Sequence, residues 1–339
     1  MKVDAIVQCD LSDAADVARR AQDRGFDRML HAEVAHDPFL PLALAAAATD
    51  RISLGTGIAV AFARSPMTVA VSAADLHRQS RGRFVLGLGS QIRPHVTRRF
   101  AMPWSRPAAR MREYVGALRA IWTSWQDGSP LRFDGEFYQH TLMTPMFSHG
   151  PSEYGDPSIF LAGVGPEMTA VAGEVADGFL AHGFTTPSYL REVTLANLGR
   201  GLDRAGRDRS AIEVSIPLFS LLGHDDAEIA ARASGVRHTL AFYGSTPAYR
   251  PVLEHHGWGE LGVELTRLSK LGEWAKMGDA IDDEVLREFT IICAPEEFTG
   301  EVLRRYGDVV DRVQIGLAES RSDTVLAGTM AALRAHRRP

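Results

Sequence analysis

The chain has 339 residues, 45% of them hydrophobic and 23% charged, enough for two ordinary domains or one large α/β barrel with insertions. Its formal net charge of -5 offers no basic face, which argues against nucleic acid as a partner. Two cysteines, Cys9 and Cys293, give neither a disulfide framework nor a metal-binding pair, Met1 leads directly into a strand-like segment rather than a signal peptide, and no run of about 18 apolar residues spans a membrane. These features together predict a cytoplasmic protein.

Strands and helices alternate along the sequence. Residues 3–8 read as strand one, and Ser12 as the cap of a helix whose Ala14, Val17, Ala18 and Ala21 recur at helical spacing before Gly25 ends it. Residues 26–30 form strand two, followed by a polar turn holding His31, Glu33, His36 and Asp37 and by the apolar helix 40–48. Strand three, 52–60, carries Gly55 and Gly57 inside its apolar run, where glycine marks a bulge or the close approach of a ligand. Ser65 then caps, and Pro66 opens, the helix 67–79. Strand four, 83–88, runs into Gly87, Gly89 and Gln91, and a long helix over 107–125 follows.

The pattern breaks at 126–157, where Asp134-Gly135 is a tight-hairpin signature, so this region is read as an insertion. Alternation resumes with strand five, 158–162, whose Gly163-Val164-Gly165-Pro166 turn starts the next helix. Strand six is 178–182, with Thr186-Pro187 opening its helix, and strand seven is 212–222. A mostly helical second insertion covers 224–295, strand eight is 310–316, and a final helix runs over 322–335. Eight parallel strands with crossover helices predict an α/β fold, a (β/α)8 TIM barrel forming one domain over 1–339. A doubly wound sheet would place a glycine fingerprint after strand one, and residues 8–12 contain no glycine.

Chemistry in such barrels sits at the C-terminal strand ends, which here carry glycine pairs. Each pair alone serves a tight turn equally well; several at one end point to a shared bound molecule. Gly163 to Met168 most resembles a phosphate site, a glycine turn running into a helix N-terminus. Glu33, with His31 and His36 nearby, suits general acid or base work, although a solvated turn with Asp37 capping the next helix explains it as well. His182 ends strand six, as a catalyst or as a structural hydrogen-bonder. The segment His224-Asp225-Asp226 reads as a helix cap, and without paired His or Cys motifs no metal is expected.

The segments RISLGTGI (51–58), SRGRFVLGLGS (80–90), RMREY (110–114) with LRAIW (118–122), and AGEVADG (172–178) together resemble the bacterial luciferase-like superfamily. Within it they are most similar to oxidoreductases that use the deazaflavin coenzyme F420. The resemblance implies a barrel with an insertion near strand seven, a homodimer, and a non-prolyl cis peptide at Gly57-Ile58 behind the cofactor ring. It places the cofactor on Gly55, Thr56, Gly57, Ile58, Ala59 and Gly89, and its phosphate on Gly163, Val164, Gly165, Pro166 and Met168. Glu33 stands where sugar-phosphate dehydrogenases of the family carry a histidine and Gln91 where they carry a glutamate, which argues against glucose 6-phosphate as substrate. The expected reaction is hydride transfer between the deazaflavin and a small-molecule organic substrate. In it Glu33 moves the coupled proton and Gln91, His95 or His182 orients the substrate, while Phe62, Trp104, Phe184 and Tyr243 wall the ring face. An FMN-dependent monooxygenase of the same fold, and a non-catalytic flavin-binding protein, are the alternatives.

Overall fold

The computed structural model describes residues 1–316 and 323–336. Eight parallel strands close a barrel: β1 Lys2–Val7, β2 Arg28–His31, β3 Ser53–Thr56, β4 Phe84–Gly89, β5 Ser158–Gly163, β6 Gly178–Ala181, β7 Glu213–Pro217 and β8 Arg312–Gly316. Their order runs β3, β2, β1, β8, β7, β6, β5, β4, and β4 pairs back onto β3, so the sheet has no free edge. The helices outside it are α1 Ala14–Asp23, α2 Leu40–Ala48, α3 Pro66–Gln79, α4 Pro107–Asp127, α5 Pro166–Val175, α6 Leu195–Ala205, α7 Phe298–Tyr306 and α8 Asp323–Ala335. Ser322, expected to begin the last of these, lies outside the described residues.

Strand alternation divides the side chains between two environments. Val3 and Ala5, Leu86 and Leu88, Ile159 and Leu161, and Val313 belong to the large apolar core and are fully buried. Asp4, Arg28 and Arg312 point the other way and meet inside the barrel. Arg312 grips Asp4 through Nε at 2.8 Å and Nη2 at 2.5 Å, with side chains 2% and 0% exposed. The Arg28 guanidinium lies 4.5 Å from the ring of Phe160, on a strand across the barrel. Glu213 approaches both arginines, at 3.6 Å and 3.4 Å, so the N-terminal floor is a compensated charged layer.

Several local expectations hold. The Ser65 hydroxyl accepts from the Thr68 N–H at 3.2 Å, Thr186 Oγ1 from Tyr189 N–H at 3.2 Å, and Asp225 Oδ1 from Glu228 N–H at 2.9 Å. Asp37 Oδ1 accepts from the N–H groups of Phe39 and Leu40 at the start of α2, at 2.8 and 3.0 Å. In the first insertion Phe133–Asp134 pairs antiparallel with Gln139–His140, and the Glu113 carboxylate of α4 accepts from the backbone N–H groups of Glu136, Phe137 and Tyr138.

Three expectations are corrected. Ser12 does not cap α1: it sits in a 3-10 turn, Leu11–Asp13, with its hydroxyl on Asp13. Strand three is interrupted, because the Gly57-Ile58 peptide is cis, as the resemblance implies, and a short Ala59–Val60 strand continues beyond it. Strand seven splits at Leu218: Pro217 has no N–H to extend the pairing with β6, while Leu218 N–H makes the last bond to β8, at the Gln314 carbonyl. The following segment, Phe219–Leu222, leaves the barrel and pairs in parallel with Thr290–Cys293, a strand hidden in the region read as helical. Around that pair five helices, Asp226–Gly244, Arg250–His255, Gly259–Leu271, Trp274–Asp279 and Asp283–Phe289, build a second apolar core on Leu240, Leu253, Leu265 and Phe289.

Helices α5 and α6 approach backbone to backbone. A Cβ on Gly201 would stand 1.9 Å from the Ala170 carbonyl oxygen and one on Gly173 2.2 Å from that of Leu198, whereas one on Gly199 would meet nothing within 4 Å. Gly201→Ala is expected to destabilise by about 1–3 kcal/mol through overpacking. Gly199→Ala, on the same helix, should stabilise by about 0.5–1 kcal/mol, both read from urea unfolding midpoints.

Candidate active site

With the floor filled by charged side chains, access to the barrel is from the C-terminal strand ends, where Ile58, Ser90, Gly163, His182, Pro217 and Gly316 are only half-buried. A cleft of about 490 Å³ lies at the opposite end, lined by Gln22, Thr49, Asp50, Arg81 and Arg83. Part of its lining serves the fold: Arg83 donates to the carbonyls of Ile52 and Thr49, and Gln22 Oε1 accepts from the N–H groups of Asp50, Arg51 and Ile52.

The glycines at the open end fall into two kinds. Added Cβ atoms would meet Leu30 at 2.9 Å from Gly55, the Thr56 carbonyl at 2.0 Å from Gly87, and Ile58 at 2.8 Å from Gly89. These glycines are required by the protein's own packing, as is Gly57, where a Cβ would also meet Leu30 at 2.9 Å. Thr56 and Ala59 are likewise fully buried, and the Thr56 hydroxyl donates to the Gly87 carbonyl at 2.6 Å while accepting from its N–H at 2.9 Å. Gly57 and Ile58 remain accessible, Ile58 lying over Gly89.

The turn after β5 is of the other kind. Gly165 is exposed, with nothing within 4 Å of the position of a Cβ, and Pro166 begins α5. The amides of Glu167 and Met168 therefore open the helix without a carbonyl one turn behind, while Thr169 N–H already reaches Gly165. Val164 is half-buried beside them; Met168 itself is buried and packs under Gly163, so only its backbone is available. The arrangement suits an anionic group.

Glu33 is not a free acid or base. Arg64 clamps both its oxygens, Nη1 to Oε2 at 2.8 Å and Nη2 to Oε1 at 2.9 Å, and Val60 N–H donates to Oε2 at 2.7 Å. The carboxylate is 5% exposed, and Arg64 also reaches Asp37 at 3.3 Å. Both oxygens being engaged, Glu33 ties the loop after β2 to the bend of β3. Its sequence neighbours are dispersed: His36 pairs with Asp10 at 3.1 Å on the surface, and His31 is buried outright, burial holding its imidazole below the ordinary range. The Cys9 backbone approaches that ring without reaching hydrogen-bond geometry.

Gln91 stands at the mouth with φ +58°, its Oε1 accepting from Ile92 N–H at 2.9 Å and its side-chain NH2 unengaged among the described residues. His95 is exposed at the head of a single π turn, His95–Arg99, with no side-chain partner among the described residues. The four aromatic residues expected to form one wall form two pairs in separate clusters. Phe62 and Trp104 meet edge to face at 6.2 Å on the barrel core, and Phe184 and Tyr243 lie 6.3 Å apart on the core of the second insertion. Phe62 and Phe184 are 1% and 2% exposed, which makes them core residues, Phe62 lying under the Arg110 guanidinium at 4.5 Å.

His182 ends β6 in an aromatic enclosure. Tyr249 stacks on its ring at 4.5 Å and Tyr243 meets it edge-on at 4.7 Å. Phe184 N–H donates to Nδ1 at 3.0 Å, and Nε2 faces the Tyr249 hydroxyl at 3.2 Å. Burial pushes the imidazole down to about 4. Tyr249 and Arg64 were missed from sequence. Tyr249 lies among Pro247, Arg250 and Pro251, which signal only a turn, and Arg64 is one arginine among many.

Two outcomes follow from these contacts. Glu33→Gln should cost about 2–3 kcal/mol in chemical denaturation, because Arg64 loses its anion in a mostly dry setting. For His182 the folded value lies below the unfolded 6.5, so the unfolded chain takes up the proton first. Stability from this group is complete above about pH 6.5, declines as pH falls, and stops declining near pH 4. His182→Asn, which keeps an acceptor for Phe184 N–H, should flatten the fall of Tm across that window, His31 and His256 still contributing in the same direction.

Comparison with known proteins places this geometry. A family model described as luciferase-like monooxygenase matches residues 4–312. The uncharacterized protein Rv1360 of Mycobacterium tuberculosis is 55% identical over 313 residues, covering 92% of each chain. From the same organism, the putative coenzyme F420-dependent oxidoreductase Rv3520c is 29% identical over 299 residues, 82% of this chain and 83% of that one. The solved coenzyme F420-dependent tetrahydromethanopterin reductase of Methanopyrus kandleri superposes with a TM-score of 0.80 at 20% identity, over 99% of this chain and 98% of that one, and shares the barrel fold. The chain belongs to the luciferase-like monooxygenase family of enzymes.

Proposed function

We propose that this protein is a coenzyme F420-dependent oxidoreductase that transfers a hydride between the deazaflavin and a small organic substrate. The observation carrying this reading is the open barrel end, where the accessible Gly57-Ile58 edge lies on the same rim as an unoccluded helix N-terminus at Gly165-Pro166. That combination fits a flat ring joined to an anionic tail. The similarity to Rv3520c, whose name carries the same coenzyme, supports the choice of deazaflavin.

When bound, the deazaflavin supplies a carbon that accepts or donates a hydride. The chain's residues do the rest. The backbone of Val164, Gly165, Glu167 and Met168 binds the anionic tail, with Pro166 fixing the turn, and Ile58 supports the ring. Glu33 keeps that support in place through Val60 and Arg64. Gln91, through its unengaged NH2, orients the substrate, while His182 is held by Phe184 N–H and the Tyr249 hydroxyl beside it. His95, exposed on its loop, borders the entrance. Leu40 and Leu44 of α2 and Val71 of α3 present apolar side chains to solvent, which supports a homodimer.

The second reading, an FMN-dependent monooxygenase, is favoured by the family description. Titration of the purified protein with the deazaflavin and with FMN, followed by tryptophan fluorescence, separates the two. Deazaflavin binding at least about tenfold tighter, a difference of about 1.4 kcal/mol, is expected; the opposite preference would make the protein a monooxygenase.

A further inference from the structure

The first insertion carries the most exposed large apolar side chains among the described residues, Met146 at 88%, Leu142 at 78% and Phe147 at 73%. They sit on an arm, residues 141–147, that the fold holds in place. Pro145–Phe147 is a 3-10 turn, with the Thr144 carbonyl accepting from the N–H groups of Phe147 and Ser148 at 2.9 and 3.1 Å. Trp125 Nε1–H donates to the Met143 sulfur at 3.3 Å, and Arg78 Nη2 reaches the carbonyls of His149, Gly150 and Pro151 at 3.0, 2.9 and 2.8 Å. His149 Nε2 meets Asp75 Oδ1 at 2.8 Å, and Gln126 Oε1 accepts from Ser152 N–H at 2.9 Å. The arm is thus ordered by the chain itself, while its largest side chains face solvent.

A second apolar surface continues from it. Asp75 and Arg78, which anchor the base of the arm, lie on α3 one and two turns beyond the exposed Val71. Helix α2, packed beside α3, contains only Leu, Pro and Ala and shows Leu40, Ala43, Leu44 and Ala47 to solvent. Charge is nearly absent here. Between Glu136 and Glu153 there is no Asp, Glu, Lys or Arg, α2 has none, and those of α3, Asp75 and Arg78, are both engaged at the base of the arm. In a chain with 23% charged residues, a surface depleted of charge and carrying Met and Phe has the composition of an interface core.

The same chemistry selects the occupant. A two-fold contact sets a patch against an identical patch, so net charge would repel its own copy, whereas a neutral apolar patch is self-complementary. An anionic bilayer would be met by unpaired Lys or Arg, and the one arginine here is held by three carbonyls. Size points the same way. Leu40, Ala43, Leu44, Ala47 and Val71 are a small part of the roughly 20–30 residues per side in a stable interface, and the arm supplies apolar area beyond them.

We propose that the arm is the outer part of a homodimer interface, burying Leu142, Met146 and Phe147 against a second copy of this chain together with the faces of α2 and α3. The assignment rests on the homodimer reading above.

Sedimentation velocity of the full chain over a dilution series tests it. Wild type is expected to dimerise, and Met146→Asp and Phe147→Asp each to weaken the dimer at least about 30-fold, the threshold of an interface hot spot. Their far-UV circular dichroism should not change, because both side chains are exposed in the single chain. Val263→Asp, exposed on the helix Gly259–Leu271 of the second insertion, should leave the dimer intact. Amide hydrogen exchange over 141–147 should slow as the dimer forms. Arm variants that dimerise as tightly as wild type, while Leu44→Asp dissociates, overturn the role of the arm and leave the homodimer reading standing. A wild type that is monomeric at every concentration overturns that reading itself. Binding of such a monomer to phosphatidylserine-containing vesicles, lost in Phe147→Asp, would give the surface to a membrane and overturn the choice of occupant.

Discussion

Closure of the barrel between its first and last strands is the constraint on which the molecule depends. Residues Lys2 to Ile6 pair in register with Arg312 to Gly316, so the two ends of the chain must meet before any strand is free of an edge. The seam is pinned where Arg312 meets Asp4, both side chains essentially without solvent. Removing either partner would leave a buried charge, a change of about 3–5 kcal/mol in comparable pairs. Because every barrel strand is parallel, the seam also puts all the strand-to-helix loops at one end. Charged residues fill the other end, and the location of the chemistry follows from closure.

Within that open end, the protein's own packing and the ligand surface compete for the same residue type. Gly55, Gly87 and Gly89 lie where neighbouring strands, Leu30 and Ile58 leave no room for a methyl group. Gly165 has space around it, and beyond Pro166 the amides of Glu167 and Met168 have no carbonyl one turn behind them. A glycine pair read from sequence reports close approach without saying of what. The distinction is set by strands far away in sequence, as the contact between Gly87 and the Thr56 carbonyl illustrates. The same holds for Glu33, whose role is decided by Arg64, 31 residues later.

The barrel was legible because its signals are local. Ser65-Pro66, Gly165-Pro166 and Thr186-Pro187 each open a helix where the sequence placed one, and the apolar runs before them are strands. The errors share one cause, which is that a partner outside the local window decided the outcome. The run 212–222 has strand character throughout, yet Pro217 ends one ladder and Thr290–Cys293, some seventy residues on, begins another. Phe62, Trp104, Phe184 and Tyr243 were grouped by residue type. They separate because the second insertion has a core of its own that claims Phe184 and Tyr243.

That separate core explains how a fixed barrel can acquire its own chemistry at the mouth. The strand ends hold positions set by closure, and their freedom to change is small. The insertion carries its own apolar contacts and is joined to the barrel at several places. One is the parallel pair of Phe219–Leu222 with Thr290–Cys293, and another is Thr186 Oγ1 against Nε2 of His256 at 2.7 Å. Tyr249 lies between those anchors, on a turn rather than on a barrel element. Its hydroxyl can thus be placed or replaced by changes in the insertion without disturbing the seam, the floor or the anion-receptive end of α5. His182, directly after β6, is another point where the two parts touch.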